Sequence, residues 1–382
     1  MKSRSFIPLS VPEIRGNEWK YVRECLDTGW VSSVGPFVNR FEKDVADYVG
    51  AKHAVATVNG TAALHIALQV TGVQAGDEVL VSTLTFIAPA NAIRYVGAWP
   101  IFIDAEPRYW QMDVEKAAHF LEKGCRWKNG VLRNRKTGRR VRAILPVHVL
   151  GHPVDMKPLL ALARKYKLVV IEDATEGLGA EYRGRKIGSL GDIGCFSFNG
   201  NKILTTGGGG MIVTDNARWA ERAKHLTTQA KSDPDEYIHD EIGYNYRLTN
   251  LQAAMGCAQM EQLDLYVAKK RAIAARYARA LSGIEGIEVM REAPWAKSIF
   301  WMYTVLIHRR AFGHSTREWM RHLARKGIQT RPLWQPLHKS PAHRPAFAIC
   351  PVAEKLYRDG LSLPCSVGLD FKAQSKVISQ FC

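Results

Sequence analysis

Through its first two-thirds the chain alternates short apolar runs with helical patterns, and this alternation most limits the folds open to it. Glu78–Ser82 and residues 100–104, 143–147 and 168–172 each read as a buried strand. Helical patterns over 62–70, 88–96 and Met156–Tyr166 fall among them. Strands separated by helices predict an α/β fold around a mainly parallel sheet. Loops at the carboxyl ends of such strands collect the functional groups. Residues 248–281 are helical in pattern and poor in Gly and Pro, so one long helix is expected to bridge to a smaller unit. The expected division is an N-terminal segment (1–25), a large domain (26–250), and a bridging helix with a small C-terminal α+β domain (251–382). A chain of 382 residues, 46% of them hydrophobic, is long enough to bury a substantial core.

The charge balance leaves several readings open. Lys and Arg number 53 against 36 Asp and Glu, a net +17. Such a surplus suits a nucleic acid, a membrane surface, an anionic small substrate such as a nucleotide diphosphate, or simply a solvated basic surface. Much of it lies in residues 126–142, RWKNGVLRNRKTGRRVR. Turn signals at Lys128-Asn129-Gly130 and Lys136-Thr137-Gly138 make this an inserted hairpin or loop. Its single aromatic, Trp127, offers no series of stacking platforms, so no nucleic-acid partner is expected. No apolar run approaches the roughly 20 residues that span a bilayer. The start, MKSRSFIPLS, lacks the apolar core of an export signal. Seven scattered cysteines without a CxxC pair fit free thiols in a reducing cytoplasm, with no metal site.

The stretch from residue 169 to 215 carries the most chemistry. An apolar strand ends in Glu172-Asp173, where an acid can face a ligand. Lys202 lies between a second strand (194–198) and the run Gly207 to Gly210, whose glycines allow close backbone approach. Pyridoxal phosphate needs a lysine to bond its aldehyde, an acid on its pyridine nitrogen, backbone N–H groups for its phosphate and an aromatic ring to stack on. Lys202 and Asp173 match the first two. Gly60, Thr61 and Ala62 open a helix and suit the phosphate, Ser197 adds a hydroxyl, and Phe86 offers the ring. Singly, each has a plainer reading: a solvated lysine, an N-cap, a turn, a core phenylalanine. Their joint order and spacing favour the cofactor.

These motifs resemble the DegT/DnrJ/StrS sugar aminotransferases, of the fold type I pyridoxal-phosphate class. The likeness runs over Thr28-Gly29-Trp30, Gly35-Pro36, Asn59 to Leu64, Thr85-Phe86 to Asn91, Glu172-Asp173-Ala174 and Gly188-Ser189 to Asp192. It continues through Phe196-Ser197-Phe198, Lys202, Thr205-Thr206, Gly243 to Arg247 and Pro336-Leu337-His338, and so covers essentially the whole chain. The resemblance implies that Lys202 is the Schiff-base lysine, Asp173 the pyridinium partner, and Ser197 with Gly60-Thr61-Ala62 the phosphate site. It implies a homodimer in which Asn245 reaches the neighbouring subunit's phosphate. Arg247 and His338 are expected at the substrate. Many members carry glutamine where this chain has Glu176, near the cofactor's 3-hydroxyl. Members that have lost the lysine dehydrate their substrates, so Lys202 favours transamination.

The implied reaction moves an amino group from L-glutamate to the keto carbon of a nucleotide-linked sugar. The block Ser197 to Lys202 and the basic insert resemble enzymes that aminate C4 of UDP-linked 4-keto-6-deoxy-N-acetylhexosamines, for surface polysaccharide or glycan. A C3 aminotransferase on a dTDP- or GDP-sugar, a fold type I enzyme of another reaction type and a non-enzymatic regulator remain alternatives.

Overall fold

The computed structural model describes residues 6–233, 235–344 and 348–382, so the first five residues of the basic start and Pro234 of the polar loop lie outside the described residues. Two helices come first, α1 (Glu18–Thr28) and α2 (Pro36–Val49). Each ends on a left-handed glycine, Gly29 or Gly50, which only a residue lacking Cβ adopts freely. Then come β1 (His53–Thr57), α3 (Gly60–Val70), β2 (Glu78–Ser82), α4 (Ala88–Tyr95), β3 (Trp99–Ile103) and α5 (Val114–His119). A hairpin of β4 (Cys125–Lys128) and β5 (Val131–Asn134) leads into β6 (Val141–Leu145), α6 (Met156–Tyr166) and β7 (Val169–Asp173). A short pair, β8 (Glu181–Tyr182) and β9 (Arg185–Lys186), precedes β10 (Ile193–Ser197), β11 (Gly210–Thr214) and α7 (Ala217–Thr227).

The central sheet runs β1-β11-β10-β7-β6-β2-β3. From β10 to β3 every neighbouring pair is parallel, and β11 alone runs against its neighbours. Parallel strands must be covered on both faces, and the burial follows: every residue of β2 and β11 is buried. The expected α/β sheet is therefore present, with β2 and α6 at the bounds read from sequence. The basic insert forms the β4–β5 hairpin, turning on Asn129 (φ 51°) and Gly130 (φ 72°), the backbone that an Asn-Gly pair favours.

The expected single helix over 248–281 is instead two, α8 (Asn250–Met260) and α9 (Leu263–Leu281). No Gly or Pro causes the break. Glu261 is held by the Asn17 amide at 2.7 Å, the Tyr21 hydroxyl at 2.6 Å and Arg40 at 2.9 Å. These tertiary bonds to α1 and α2 override helix propensity at the junction. The chain continues through β12 (Ile287–Val289), β13 (Ala296–Lys297), β14 (Tyr303–Ile307), α10 (Arg309–Phe312), α11 (Thr316–Arg325), β15 (Arg331–Pro332), α12 (Pro351–Asp359), β16 (Gly360–Leu363) and α13 (Phe371–Ile378). A second sheet, β12-β14-β16-β15, is wholly antiparallel. The chain's beginning joins this C-terminal part. Ile7 exchanges backbone bonds with Gly327 and Gln329, and the Cys365 N–H donates to Leu9 at 2.8 Å.

All seven cysteines are free, and six are buried. Among the described residues no helix is long and apolar enough to cross a membrane.

Candidate active site

The parallel strands β2, β6 and β7 and their neighbour β10 end on the same side, and their loops bring the expected residues together there. Asp173 ends β7 with its side chain buried, and its carboxylate accepts the Thr175 N–H at 3.1 Å. No helix follows, so Asp173 caps a turn, with the Thr175 side chain as a second partner. Its neighbour Glu172 faces the other way, as strand alternation requires. Glu172 accepts from His148 Nε2 (2.9 Å) and from the N–H groups of Gly188 (2.9 Å), Leu190 (2.7 Å) and Gly191 (2.6 Å). The Val154 N–H donates to His148 Nδ1, so Nε2 carries the proton given to Glu172.

The two carboxyls accordingly titrate in opposite directions. Burial would raise Glu172, but the His148 imidazole and the N–H donors outweigh it and hold it below the ordinary range. Asp173 has fewer donors; burial dominates and raises it, against the pull of Thr175, Lys202 and His148. A buried, under-served carboxyl at a sheet's carboxyl end is suited to a cationic ring nitrogen.

Lys202 follows β10 in a turn closed by its own N–H to the Asn199 carbonyl at 3.0 Å. Burial lowers the affinity of its amine for a proton, opposed by attraction to Glu176 and then Asp173. Burial also pushes Glu176 up to about 7, although Lys202 and the Leu150 N–H (2.8 Å) favour its charged form. Leu150 sits in the left-handed region at φ 59°, a strained conformation for a leucine that aims its N–H at Glu176.

The start of α3 faces the same loops. The Asn59 side chain accepts from Ala62 N–H at 2.8 Å, which leaves the Gly60 and Thr61 N–H groups without an acceptor among the described residues. A Cβ on Gly60 would stand 2.8 Å from the Ser197 Cβ and 3.2 Å from the Thr175 Cγ2, so the glycine brings the helix end against β10 and the β7 loop. Phe86, beyond the end of β2, is 55% exposed and is therefore not a core residue. Within the glycine run, Gly207 has open space beside it, and Gly210 is tightly packed. A Cβ on Gly210 would lie 2.6 Å from the Asn59 carbonyl, so the glycines let β11 press on the backbone that opens α3.

Three further expected residues stand apart. Tyr244 and Tyr246 pack inward beside His65, and alternation turns Asn245 outward, where it is exposed. Arg247 lines a cavity of about 100 Å³ with Gly35, Lys224 and Thr228 and has no ion-pair partner among the described residues. His338 departs from expectation. It is buried, its Nδ1 bonds the Thr83 hydroxyl at 2.8 Å and its Nε2 the Glu354 carboxylate at 3.1 Å. With both nitrogens used, it ties the end of β2 to α12 and has no atom free for a substrate.

Sequence reasoning missed Trp301. Its ring centre lies 4.2 Å from Lys202 Nζ, and its indole N–H donates to the Asn201 carbonyl at 2.8 Å. Nothing in the local pattern of a residue this far along the chain points to that contact. A cleft of about 700 Å³ between Tyr109, Leu162 and Trp295 contains none of these residues.

Residues 12–382 match the model of the DegT/DnrJ/EryC1/StrS aminotransferase family. The chain belongs to this family. The aminotransferase is 42% identical over 379 residues to a GDP-perosamine synthase of Caulobacter vibrioides, covering 98% of this chain and 96% of that one. A GDP-perosamine synthase of Escherichia coli O157:H7 is 40% identical over 359 residues, covering 94% and 93%. A UDP-N-acetyl-3-dehydro-alpha-D-glucosamine 3-aminotransferase of Acidithiobacillus ferrooxidans is 35% identical over 328 residues, covering 85% and 82%. Among solved structures, S. venezuelae DesV in complex with a ketimine intermediate superposes with a TM-score of 0.86 at 32% identity, covering 97% of both chains. The aminotransferase thus has the pyridoxal-phosphate transferase fold and uses that cofactor in nucleotide-sugar amination. The cradle at Gly60, the free N–H groups beside it and the under-served Asp173 fit such a group. The relatives' names carry both GDP- and UDP-linked sugars, so a special kinship with UDP-4-keto enzymes is not established by them.

Proposed function

We propose that the aminotransferase takes an amino group from L-glutamate and places it on C4 of a UDP-linked 2-acetamido-2,6-dideoxy-4-keto-hexose. The observation that carries the chemistry is the half-buried Lys202, whose amine is attracted by Glu176 and Asp173 at the carboxyl ends of β7 and β10. When bound, pyridoxal phosphate supplies an electron sink that acidifies the substrate carbon. Lys202 would hold the cofactor, and its amine, whose proton is loosened by desolvation, would move the proton to and from that carbon. Asp173 holds the ring nitrogen charged. Gly60, Thr61, Ala62 and Ser197 take the phosphate, Phe86 covers the ring, and Glu176 meets the ring hydroxyl.

In this reading the working unit is a homodimer in the cytoplasm. The exposed Asn245 of the partner subunit completes the phosphate site, and the unpaired Arg247 receives an anionic group of the substrate. The resemblance of the block Ser197 to Lys202 and of the insert, as sequence alone, supports the UDP-linked acceptor. A GDP-linked acceptor is the second reading, favoured by two relatives that are GDP-perosamine synthases at 40% and 42% identity. The test offers UDP-, GDP- and dTDP-linked 3- and 4-keto sugars with glutamate and identifies products by mass and NMR. Amination of the UDP 4-keto sugar at the highest kcat/KM is expected; preference for any other overturns the acceptor. Failure of glutamate to convert the cofactor's absorbance overturns the donor.

A further inference from the structure

The β4–β5 hairpin has no part in the chemistry above, and its position keeps it away. It enters β6 at the amino end, whereas the active-site loops leave at the carboxyl end. The five residues of β6 separate the two by roughly 16 Å at about 3.3 Å per residue. Residues 126–142 hold eight Lys and Arg and no Asp or Glu. Some of these build the hairpin's base: Arg140 pairs with Asp77, Arg142 donates to the Thr71 carbonyl, and Arg139 lies over the Trp99 ring. The others do not. Alternation turns Cys125 and Leu132 inward and Arg126 and Lys128 outward into solvent. Trp127, paired with Leu132, lies on the ribbon's other side from Arg126 and Lys128, is 46% exposed, and has Lys167 Nζ 5.9 Å from its ring centre. That contact joins the hairpin to the exposed end of α6, where Arg164, Lys165 and Lys167 follow. Arg126, Lys128, Arg164, Lys165 and Lys167 have no carboxylate partner among the described residues, and the nearby Glu122 is taken by Lys123 at 3.0 Å.

We infer that this face docks the enzyme on an anionic phospholipid surface. Charge complementarity selects the partner. Clustered cations without an ion pair are drawn to a negatively charged leaflet, and a half-exposed tryptophan at the ribbon's edge beside Lys167 is the side chain that settles at the headgroup level. A nucleic acid would need consecutive aromatic platforms or a groove, and the face offers one ring on a two-stranded ribbon. Docking by the end of the sheet opposite the site leaves substrate access open.

The test is sedimentation of the cofactor-loaded full-length enzyme with vesicles of phosphatidylcholine containing about a third phosphatidylglycerol, near physiological salt. Binding to these, and not to pure phosphatidylcholine, is expected. Each cation near the surface contributes about fivefold to partitioning, so Arg126→Ser, Lys128→Ser and Lys167→Ser together should lower it by roughly a hundredfold. Trp127→Ser should weaken it further, with turnover unchanged in both variants. Should the triple variant lose turnover, Arg164→Ser with Lys165→Ser gives the independent reading, and about a twentyfold loss is expected. Equal partitioning of wild type and variants, equal binding to both vesicle types, or no binding overturns the inference. So does duplex DNA bound in preference to vesicles and released by the same substitutions, or a change of oligomeric state in the variants.

Discussion

At the scale of single residues, the site depends on how the half-buried Lys202 and two buried carboxyls share their protons. Lys202→Ala should abolish turnover and the cofactor's bound absorbance band, checked by spectroscopy and by borohydride labelling of the wild type at Lys202. Asp173→Asn should cut kcat by more than tenfold, about 1.4 kcal/mol of barrier, while leaving the thermal midpoint of the folded protein nearly unchanged. Glu176 yields a prediction with a definite sign. Its carboxyl rises from an ordinary 4.5 to about 7 in the folded chain. Between those values the folded state holds a proton that the unfolded state has released, so stability falls as pH rises through the window. Above pH 7 the loss approaches on the order of 3 kcal/mol. Glu176→Gln keeps an acceptor for the Leu150 N–H and removes the titration. In cofactor-free protein, denaturant unfolding should find the variant more stable than wild type at pH 8 and nearly equal at pH 4.5. A gap independent of pH would show that Glu176 does not titrate there.

At the scale of elements, the opening of α3 is held by glycines and tolerates little. Gly60→Ala places a methyl 2.8 Å from the Ser197 Cβ, a distance that real side chains avoid, so the helix end must shift away from β10. Cofactor affinity should fall at least tenfold, about 1.4 kcal/mol, measured by titrating the absorbance of apoenzyme. Much of this architecture was legible because local pattern and fold agree there. The apolar run Glu78–Ser82 is buried along its whole length, and the Asn129-Gly130 turn adopts the backbone its residues favour. Lys202, Asp173 and Gly60 could be assigned because the motifs around them resemble a known family. Legibility failed where distant contacts decide. Glu261 breaks a helix through bonds to residues more than 200 positions away. His338 is diverted into a tie between Thr83 and Glu354. Trp301 reaches Lys202 only because the second sheet folds against the first.

At the scale of the whole molecule, the outward Asn245 predicts that activity belongs to a pair of chains. Mixing Lys202→Ala subunits with Asn245→Ala subunits, each inactive alone, should restore up to about one site in two per mixed dimer, read as turnover after proven exchange. Exchange without recovery would rule out a shared site. The tie between Ile7–Leu9 and the chain's far end bears on biosynthesis. The segment that bonds Gly327, Gln329 and Cys365 is made about 320 residues or more before those partners. At about 5–20 residues per second, the opening residues wait roughly 18 to 70 seconds for the chain that completes them. The large sheet can form during that wait, so nascent chains should carry Ile7 and Leu9 unpaired until residues 327–365 have emerged.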